Sequence, residues 1–424
     1  MSAIRRFATM ASSTARTRMQ RWFPTTSSPL IVSAPMDFVT NPTMASEVSK
    51  AGGLGFIQGG RDFAPGCAAL EKLERELGLA RRLLSGLRSN SSSNATTTIS
   101  QEGQSNDTLP LGVGFVAYAP SVSHFAKTAV PILASYRPAA PGAIGDMIRA
   151  VRSSSSSSSP AEWNAQVKVA VQVGSVAAAR EAVEYGADIV VAQGVDAGGH
   201  QWARGAGIVS LVPEIADMVA STSASTGREV AVWAAGGLAE GRGVAASLIL
   251  GAEAAVLGTK FMVATEADTQ EFKRNAILST SDGGMNTVKS QLHDHVQGNM
   301  TWPDLYDGRA VVHPCYQDHE AGVPLEENAA KFKMAKDAGD NSRMVLSISS
   351  PITSPFPFPL LPQIGDTHLR SLLLRLLHTF ELSNKYFVGS GTGVGLIKES
   401  LPAGEMVKQL QESATRALQA KSVL

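Results

Sequence analysis

The feature that most limits how this chain can fold is a series of short apolar runs, each followed by a helix-like stretch. The runs are continuous rather than alternating, as expected for strands buried on both faces of a parallel sheet. Strand and helix repeated seven or eight times predict an α/β protein that forms a (β/α)8 TIM barrel. The runs are PLIVSAP (29–35), GLGFIQGG (53–60), LGVGFVAY (111–118), VKVAVQVGS (167–175), ADIVVAQG (187–194), EVAVWAAGG (229–237) and AAVLGTKF (254–261).

An eighth strand is required to close such a barrel, and the sequence marks it only weakly. It should lie between residues 124 and 165, where VPILA (130–134) and PGAIGDMI (141–148) are the candidates. Amphipathic segments such as 175–186 and 241–251 separate other strands, and each ends in a glycine, which is typical of a helix C-terminus.

Three serine-rich tracts interrupt this pattern and are predicted to be flexible surface insertions: 89–107, 153–159 and 221–227. A longer departure at 343–384 is Ser/Pro-rich and then Leu-rich. Together these patterns divide the chain into five parts. They are a basic N-terminal extension (1–23), the barrel (24–265), a smaller helical substrate-domain segment (266–342), the insertion (343–384) and a C-terminal segment that returns to the barrel (385–424).

The composition is that of a globular enzyme with a sizeable core, because 44% of the 424 residues are hydrophobic and 17% are charged. The formal net charge is zero, so bulk electrostatics favours neither nucleic acid nor anionic lipid as a partner. No apolar run is long enough to span a bilayer. The two cysteines, Cys67 and Cys315, are far apart in the sequence. This pattern fits a protein of a reducing compartment and argues against a disulfide framework.

The N-terminal stretch MSAIRRFATMASSTARTRMQRWFP is rich in Arg, Ser, Thr and Ala, and no acidic residue occurs before Asp37. This composition is typical of an organelle transit peptide. An unstructured basic tail, or a true start at Met10 or Met19, explains it as well. The localisation therefore stays open between mitochondrial and cytoplasmic.

Two glycine-rich loops follow the last two predicted strands, AAGGL (234–238) and LGTKF (257–261). Their amides can point at an anion at the start of a helix, and late loops of a TIM barrel commonly hold a phosphate. Ordinary tight turns, which need glycine for a positive φ, are the alternative for either loop alone. Both loops on neighbouring strands predict a phosphate site, to which Thr259 adds a hydroxyl.

The stretch VVAQGVDAGGHQW (190–202) begins as an apolar strand and breaks into Gly-Gly-His. An imidazole can remove a proton from a carbon acid or stabilise a bound anion near neutral pH. A lone histidine in a loop is more often structural, but the flanking glycines and the strand-end position favour a functional His200. At the end of the first strand, the Met36 thioether could pack against a flat ring or simply fill the core.

Other motifs point to no further chemistry. Several histidines lie close together near 292–296 and 313–319, but no CxxC or HExxH occurs, so no metal site is predicted. There is also no GxSxG elbow and no Walker A loop. The segment GSGTGVG (389–395) is weak as a nucleotide motif and is predicted to close over a site built elsewhere.

Taken together, these stretches make the sequence resemble the nitronate monooxygenase family, formerly called 2-nitropropane dioxygenases, of the fungal type. The similarity covers most of the chain outside the low-complexity insertions and 343–384. The Gly-Gly-His block, together with AGG and LGT at this spacing, is specific for the family, whereas any one of them alone is not. The matching stretches are PLIVSAPMDFVTNPTMASEVSKAGGLGFI, VVAQGVDAGGHQW, VWAAGGLAEGRGVAASLILGAEAAVLGTKF, WPDLYDGRA and GTGVGLIKE.

The resemblance implies an FMN-containing TIM barrel with a smaller helical domain over the active site. His200 matches the family's catalytic histidine, the base that removes the α-proton in members that also accept neutral nitroalkanes. A nitronate is already a carbanion equivalent, so His200 would help to bind that anion. The implied cofactor-binding residues are Gly236, Gly237, Gly258 and Thr259 at the phosphate, Ala34, Pro35 and Met36 along the isoalloxazine, Gln172 and Gln193 as polar contacts, and Gly198 and Gly199 beside flavin and substrate.

The family reaction oxidises alkyl nitronates with O2 and the flavin to a carbonyl compound and nitrite. The implied partners are therefore a small nitronate or nitroalkane and O2. A flavin-dependent enoyl reductase using NAD(P)H is the alternative within the oxidoreductases. A flavin-free phosphate-binding barrel lyase or isomerase, and a degenerate barrel kept as a binding module, are alternatives from other classes. No motif indicates the physiological substrate or the oligomeric state.

Overall fold

The computed structural model of the protein describes most of the barrel and its covering segment. The described ranges are 16–87, 108–117, 120–136, 138–141, 145–153, 167–300, 302–344 and 387–421. The predicted insertion at 89–107, all but Ser153 of 153–159, and all but the first two residues of 343–384 lie outside them. Within these ranges, no helix is long and apolar enough to cross a membrane.

Eight parallel strands surround the barrel axis in chain order, which confirms the predicted TIM barrel. The strands of the described residues are β1 (Leu30–Ser33), β2 (Gly55–Gly60), β3 (Leu109–Phe115), β4 (Pro138–Pro141), β5 (Ala170–Val173), β6 (Ile189–Gln193), β7 (Gly199–Trp202), β8 (Ala231–Ala235), β9 (Ala254–Leu257), β10 (Thr287–Ser290) and β11 (Tyr306–Val311). Strands β5, β6, β8, β9 and β1 form one sheet, β2, β3 and β4 form another, and a bridge from Val32 to Leu54 joins the two. Each of the seven predicted runs overlaps one of these barrel strands.

The fourth barrel strand lies between the two predicted candidates, and both candidates are wrong. VPILA is part of helix Phe125–Tyr136, and the end of PGAIGDMI is part of helix Gly145–Ser153. Strand β4 pairs in parallel with β3 and is the last strand of its sheet. Its sequence PAAP gives no apolar run, and an edge position is where proline, which lacks an N–H, is tolerated in a sheet.

The helices of the barrel alternate with its strands. The helices of the described residues are Arg18–Trp22, Pro42–Lys50, Ala68–Leu83, Phe125–Tyr136, Gly145–Ser153, Val176–Tyr185, Ile208–Thr226, Gly241–Ile249, Thr259–Met262, Glu271–Ser279, Gly283–Asn286, Leu292–His295, Pro314–Glu320, Leu325–Asp337 and Ala403–Lys421, with short 3-10 turns at Pro120–His124, Asn341–Arg343 and Thr392–Leu396. Helix Ala403–Lys421 packs against helices Pro42–Lys50 and Gly241–Ile249. It therefore supplies the outer helix that β9 does not receive directly.

The N-terminal end of the barrel is closed by residues predicted to lie outside it. Met19 and Phe23 are each 3% exposed and join the interior cluster, where the indole Nε1 of Trp233 donates to the Met19 sulfur at 3.2 Å. Arg18 donates to the carbonyl of Val230, just before β8. The predicted boundary of the extension at residue 23 is thus wrong. The composition of residues 18–23 is basic, but this amphipathic turn buries its apolar side chains in the barrel.

The predicted insertion at 221–227 is also wrong, because residues up to Thr226 continue the helix that begins at Ile208. The hydroxyls of Thr222 and Thr226 donate to carbonyls four residues earlier, so these polar side chains are satisfied on the helix itself. Gly227 then ends the helix with φ 71°. The serine-rich composition predicted a loop, but these polar side chains belong to the solvent-exposed end of a helix.

The segment predicted to be helical at 266–342 contains two strands as well as helices. Strands β10 and β11 pair antiparallel, and β11 also pairs antiparallel with β7, which comes from the loop after β6. We call this three-stranded sheet the covering sheet. Because one of its strands is contributed by a barrel loop, the covering sheet is fixed to the C-terminal end of the barrel at β6.

We predict that Phe23→Ala destabilises the protein by about 3–5 kcal/mol, since it removes a large side chain from the closed end of the barrel. Equilibrium urea unfolding measures this loss. Arg21→Ala is the control, because its ion pair with Glu229 at 3.0 Å is exposed and should contribute less than about 1 kcal/mol. Equal stability of the Phe23 variant and the wild type would contradict the assignment of this segment to the barrel.

Candidate active site

The C-terminal end of the barrel interior is lined by small and polar side chains. On β5, Ala170 belongs to the interior cluster while Val171 and Val173 face the outer helices, so Gln172 points inward. The same alternation turns Gln193 of β6 inward, and Gln172 Nε2 donates to Gln193 Oε1 at 2.9 Å. Gln172 is exposed although it lies within a strand. The interior is therefore open at this end.

The residues after β1 meet the loop after β9. A Cβ built on Gly258 would lie 3.6 Å from the Met36 sulfur and 3.8 Å from the Ala34 Cβ. Pro35 instead faces β3, where a Cβ on Gly114 would come within 2.3 Å of the proline ring. The structure thus brings Ala34, Met36 and Gly258 together at one side of the opening.

Four loops converge beside this opening, and we call residues 194–199, 236–238, 258–260 and 389–393 together the glycine junction. Gly236 and Gly237 have φ values of 109° and 71°, which favour glycine. A Cβ on Gly236 would also lie 2.7 Å from the carbonyl oxygen of Gly194. Within the described residues, neither the Gly236 nor the Gly237 amide donates to another backbone group. Their N–H groups therefore remain to be satisfied by water or by an anion.

Residues 389–393 hold the glycine junction together. The Gly391 amide donates to the Thr259 hydroxyl at 3.1 Å. Thr392 donates twice to Asp196, from its amide at 3.0 Å and from its hydroxyl at 3.1 Å. A Cβ on Gly393 would lie 2.4 Å from the carbonyl oxygen of Gly237. The segment predicted to close over a site built elsewhere thus contacts all three of the other loops.

Ser390 is a polar side chain of the glycine junction whose hydroxyl has no partner in the described part of the chain. It is fully buried, and among the described residues its hydroxyl makes no hydrogen bond. Leaving a buried hydroxyl unpaired is unfavourable, so this group is suited to a ligand. Gly198 is packed against it, because a Cβ there would lie 2.5 Å from the Gly391 nitrogen. Of the two glycines before His200, only Gly199 faces open space.

His200 lies in strand β7 of the covering sheet rather than in a loop. Its Nε2 is 2.8 Å from Asp294 Oδ2, and the two side chains are 8% and 3% exposed. The Trp302 ring stacks on the imidazole, with centroids 3.6 Å apart and an interplanar angle of 8°. Trp202, on the same face of β7, reaches Gly174 at the end of β5. The face that carries His200 therefore meets the barrel at β5.

Arg309 attaches the covering sheet to the loop that carries Asp196. Its guanidinium donates from Nε and Nη2 to the Val195 carbonyl, and from Nη1 to the Thr287 hydroxyl at 3.1 Å. Burial lowers the pKa of Arg309, and the carboxylates of Asp196 and Asp307 oppose that effect. The guanidinium thus offsets the Asp196 charge at the edge of the glycine junction.

A pair of histidines, His293 and His313, lies next to the covering sheet. His293 Nδ1 is 2.8 Å from His313 Nε2, and His293 Nε2 is 3.1 Å from the Val288 carbonyl. Burial lowers the pKa of His293 to about 4 and that of His313 well below its ordinary value. Both rings are therefore neutral at pH 7 and form a structural hydrogen-bonded chain. No group of three or more His, Cys, Asp or Glu in the described ranges could hold a metal ion.

We predict that the protein loses stability as the pH falls from 6.5 towards 4. The unfolded chain binds a proton at His293 near pH 6.5, whereas the folded chain binds it only near pH 4, so acid favours unfolding across that window. Thermal melts at pH 7.5 and 5 measure the loss. His293→Gln should flatten this dependence, while the exposed control His319→Gln should leave it as steep as in the wild type. An unchanged slope in His293→Gln would contradict the prediction.

Sequence reasoning missed the residues that complete this site from far along the chain. Asp294 and Trp302 flank His200, and Ser390 completes the glycine junction. Phe38 was also missed: it is 43% exposed and has φ 59°, a strained conformation for a bulky residue of the kind that clusters at active sites. The Asp of LHDHV and the Ser of GSGTG were visible, but neither had a spacing that linked it to the barrel loops.

Fold and site together define a TIM-barrel enzyme, with the candidate functional residues at the C-terminal end of the barrel. Solved structures share this fold at low identity. FabK from Thermotoga maritima superposes with a TM-score of 0.61 at 21% identity, covering 96% of this chain and 99% of that one. A nitroalkane oxidase from Streptomyces ansochromogenes superposes with a TM-score of 0.60 at 20% identity, covering 96% and 100% of the two chains.

Sequence comparison places the chain more narrowly. It is 43% identical to a nitronate monooxygenase of Neurospora crassa over 94% of this chain and 93% of that protein. It is 33% identical to the nitronate monooxygenase npaC of Metarhizium robertsii over 75% and 82% of the two chains. The family model "Nitronate monooxygenase" matches residues 153–351. The chain belongs to the nitronate monooxygenase family, whose members are flavoenzymes, and the resemblance seen in the sequence is confirmed.

Proposed function

We propose that this protein is an FMN-dependent enzyme that oxidises alkyl nitronates with O2 to a carbonyl compound and nitrite, and that it also accepts neutral nitroalkanes. The observation that carries the proposal is the glycine junction, with its buried unpartnered Ser390 hydroxyl. Loops after the last two strands of a TIM barrel are where this fold commonly holds a phosphate. Membership in the nitronate monooxygenase family supports the reaction class.

The residues of the junction fit the phosphate of FMN. The free amides at Gly236 and Gly237 and the Ser390 hydroxyl are donors without acceptors in the described chain, and a phosphate supplies acceptor oxygens. Gly258 and Thr259 bring the loop after β9 to the same place, where Thr259 already holds Gly391. The site needs no metal to balance these donors.

The side chains at the barrel opening suit the ring system. Ala34, Pro35 and Met36 offer an apolar edge, and the paired amides of Gln172 and Gln193 offer hydrogen bonds to polar ring atoms. A bound flavin would supply the redox chemistry. Gly199 leaves open space beside the backbone for substrate, and His200 is the side chain that would bind the nitronate or accept a proton.

The direct test is the visible spectrum of the purified protein followed by anaerobic addition of propyl nitronate. We expect flavin bands near roughly 370 and 450 nm and loss of the longer-wavelength band on adding the nitronate. NADPH should bleach the flavin slowly or not at all. Rapid bleaching by NADPH would instead favour the enoyl reductase, and a colourless protein that takes up no FMN would favour the flavin-free barrel.

We predict that Ser390→Ala weakens FMN binding by about 10- to 100-fold, the value of one hydrogen bond to a charged group. Fluorescence quenching during titration of the apoprotein measures the dissociation constant. Riboflavin, which lacks the phosphate, is the matched control ligand and should bind the variant and the wild type equally. A parallel loss of affinity for both ligands would place Ser390 away from the phosphate.

A further inference from the structure

We propose that Asp294 is the positioning residue of His200. It holds the imidazole with its hydrogen on Nε2, so that Nδ1 is the nitrogen that takes the α-proton of a neutral nitroalkane. The assignment rests on the proposed function, in which His200 acts as the base.

The contact itself fixes the position of the hydrogen. His200 Nε2 is 2.8 Å from Asp294 Oδ2, and Asp294 Oδ1 accepts a second hydrogen bond, from Asn299 Nδ2 at 3.3 Å. An ionised carboxylate has acceptors only, so the histidine must supply the donor. With the hydrogen on Nε2, the acceptor lone pair of a neutral imidazole lies on Nδ1.

The surroundings keep the ring in this orientation. Trp302 stacks on one face of the imidazole at 3.6 Å. His200 pairs with Gly308 of β11, and a Cβ built on Gly308 would lie 3.9 Å from His200 Nε2, an ordinary contact distance, so this position of β11 borders the ring. A side chain confined in this way loses little rotamer freedom when its hydrogen bond forms.

Asp294 is attached to the same sheet as His200. It lies in the short helix Leu292–His295, where its neighbour His293 is hydrogen-bonded to Val288 of β10 and to His313. Because β10 and β7 both pair with β11, the carboxylate and the imidazole are attached to the same covering sheet. A displacement of the covering sheet therefore moves the two groups together.

In the proton transfer, the Cα–H bond of the nitroalkane breaks and its electron pair becomes the nitronate. The proton bonds to Nδ1 and forms an imidazolium. The negative charge of the Asp294 carboxylate stabilises this cation until the proton leaves to solvent. Asp294 contacts neither the substrate nor the proton that is transferred. In a Ser-His-Asp triad, replacing the equivalent Asp by Asn lowers the rate about 10⁴-fold because the histidine adopts the wrong tautomer.

The first test locates the hydrogen without measuring activity. Nitrogen-15 NMR of the flavin-loaded protein labelled at histidine reports both ring nitrogens, and the resonances lost in His200→Asn identify His200. We expect wild-type His200 to carry its hydrogen on Nε2, and both Asp294→Asn and Asp294→Ala to lower that population. Asp318→Asn is the matched control, since Asp318 forms its ion pairs with Arg343 and Lys331 in the covering segment. A hydrogen on Nδ1 in the wild type, or no change in either Asp294 variant, would overturn the proposal.

The second test compares nitroethane with ethyl nitronate as substrates. Asp294→Asn and His200→Asn should both lower kcat/KM for nitroethane by about 100-fold or more and lower it for ethyl nitronate by about 10-fold at most, since only the neutral compound needs a base while both compounds lose the anion contact of His200. A purely structural role would lower both equally. A wild type that oxidises the nitronate but not nitroethane would overturn the base step alone. A wild type that oxidises neither would overturn the proposed function, while the NMR result would still decide the tautomer.

Discussion

The glycine junction is the constraint on which the rest of the site depends. The chain leaves the barrel after β9, builds the covering segment, and returns to the same point, where the Gly391 amide meets the Thr259 hydroxyl. At that point a side chain on Gly198, Gly236 or Gly393 would collide with another loop. The loops can therefore approach one another only because these positions are glycine.

The two ends of the barrel use opposite chemistry. At the N-terminal end, large apolar groups such as Trp233, Phe56 and Phe23 fill the interior and exclude water. At the C-terminal end, the interior side chains become small or carry amides, and the space above them is covered by a sheet that shares β7 with a barrel loop. Stability is concentrated at one end, so that the other can expose unsatisfied polar groups, as is general for this fold.

Much of the fold could be predicted because seven strands lie in continuous apolar runs that end in glycine or polar residues. The fourth could not, since Pro138–Pro141 has neither length nor an apolar pattern. Composition misled at 221–227, where hydroxyls bonded to the helix backbone look like a linker. His200 was predicted from its adjacent glycines, but Asp294 lies 94 residues later and only the pairing of β11 with β7 brings them together. Local patterns record strands and turns; they do not record which distant carboxylate meets a given ring.

The path of the chain through the glycine junction has a consequence for biosynthesis. During translation the barrel strands emerge before residues 389–393, which unite the loops after β6, β8 and β9. Until then the Thr259 hydroxyl and the Asp196 carboxylate lack the partners that order them. A nascent or truncated chain that lacks residues 389–393 can therefore hold a nearly complete barrel in which the glycine junction is not yet assembled.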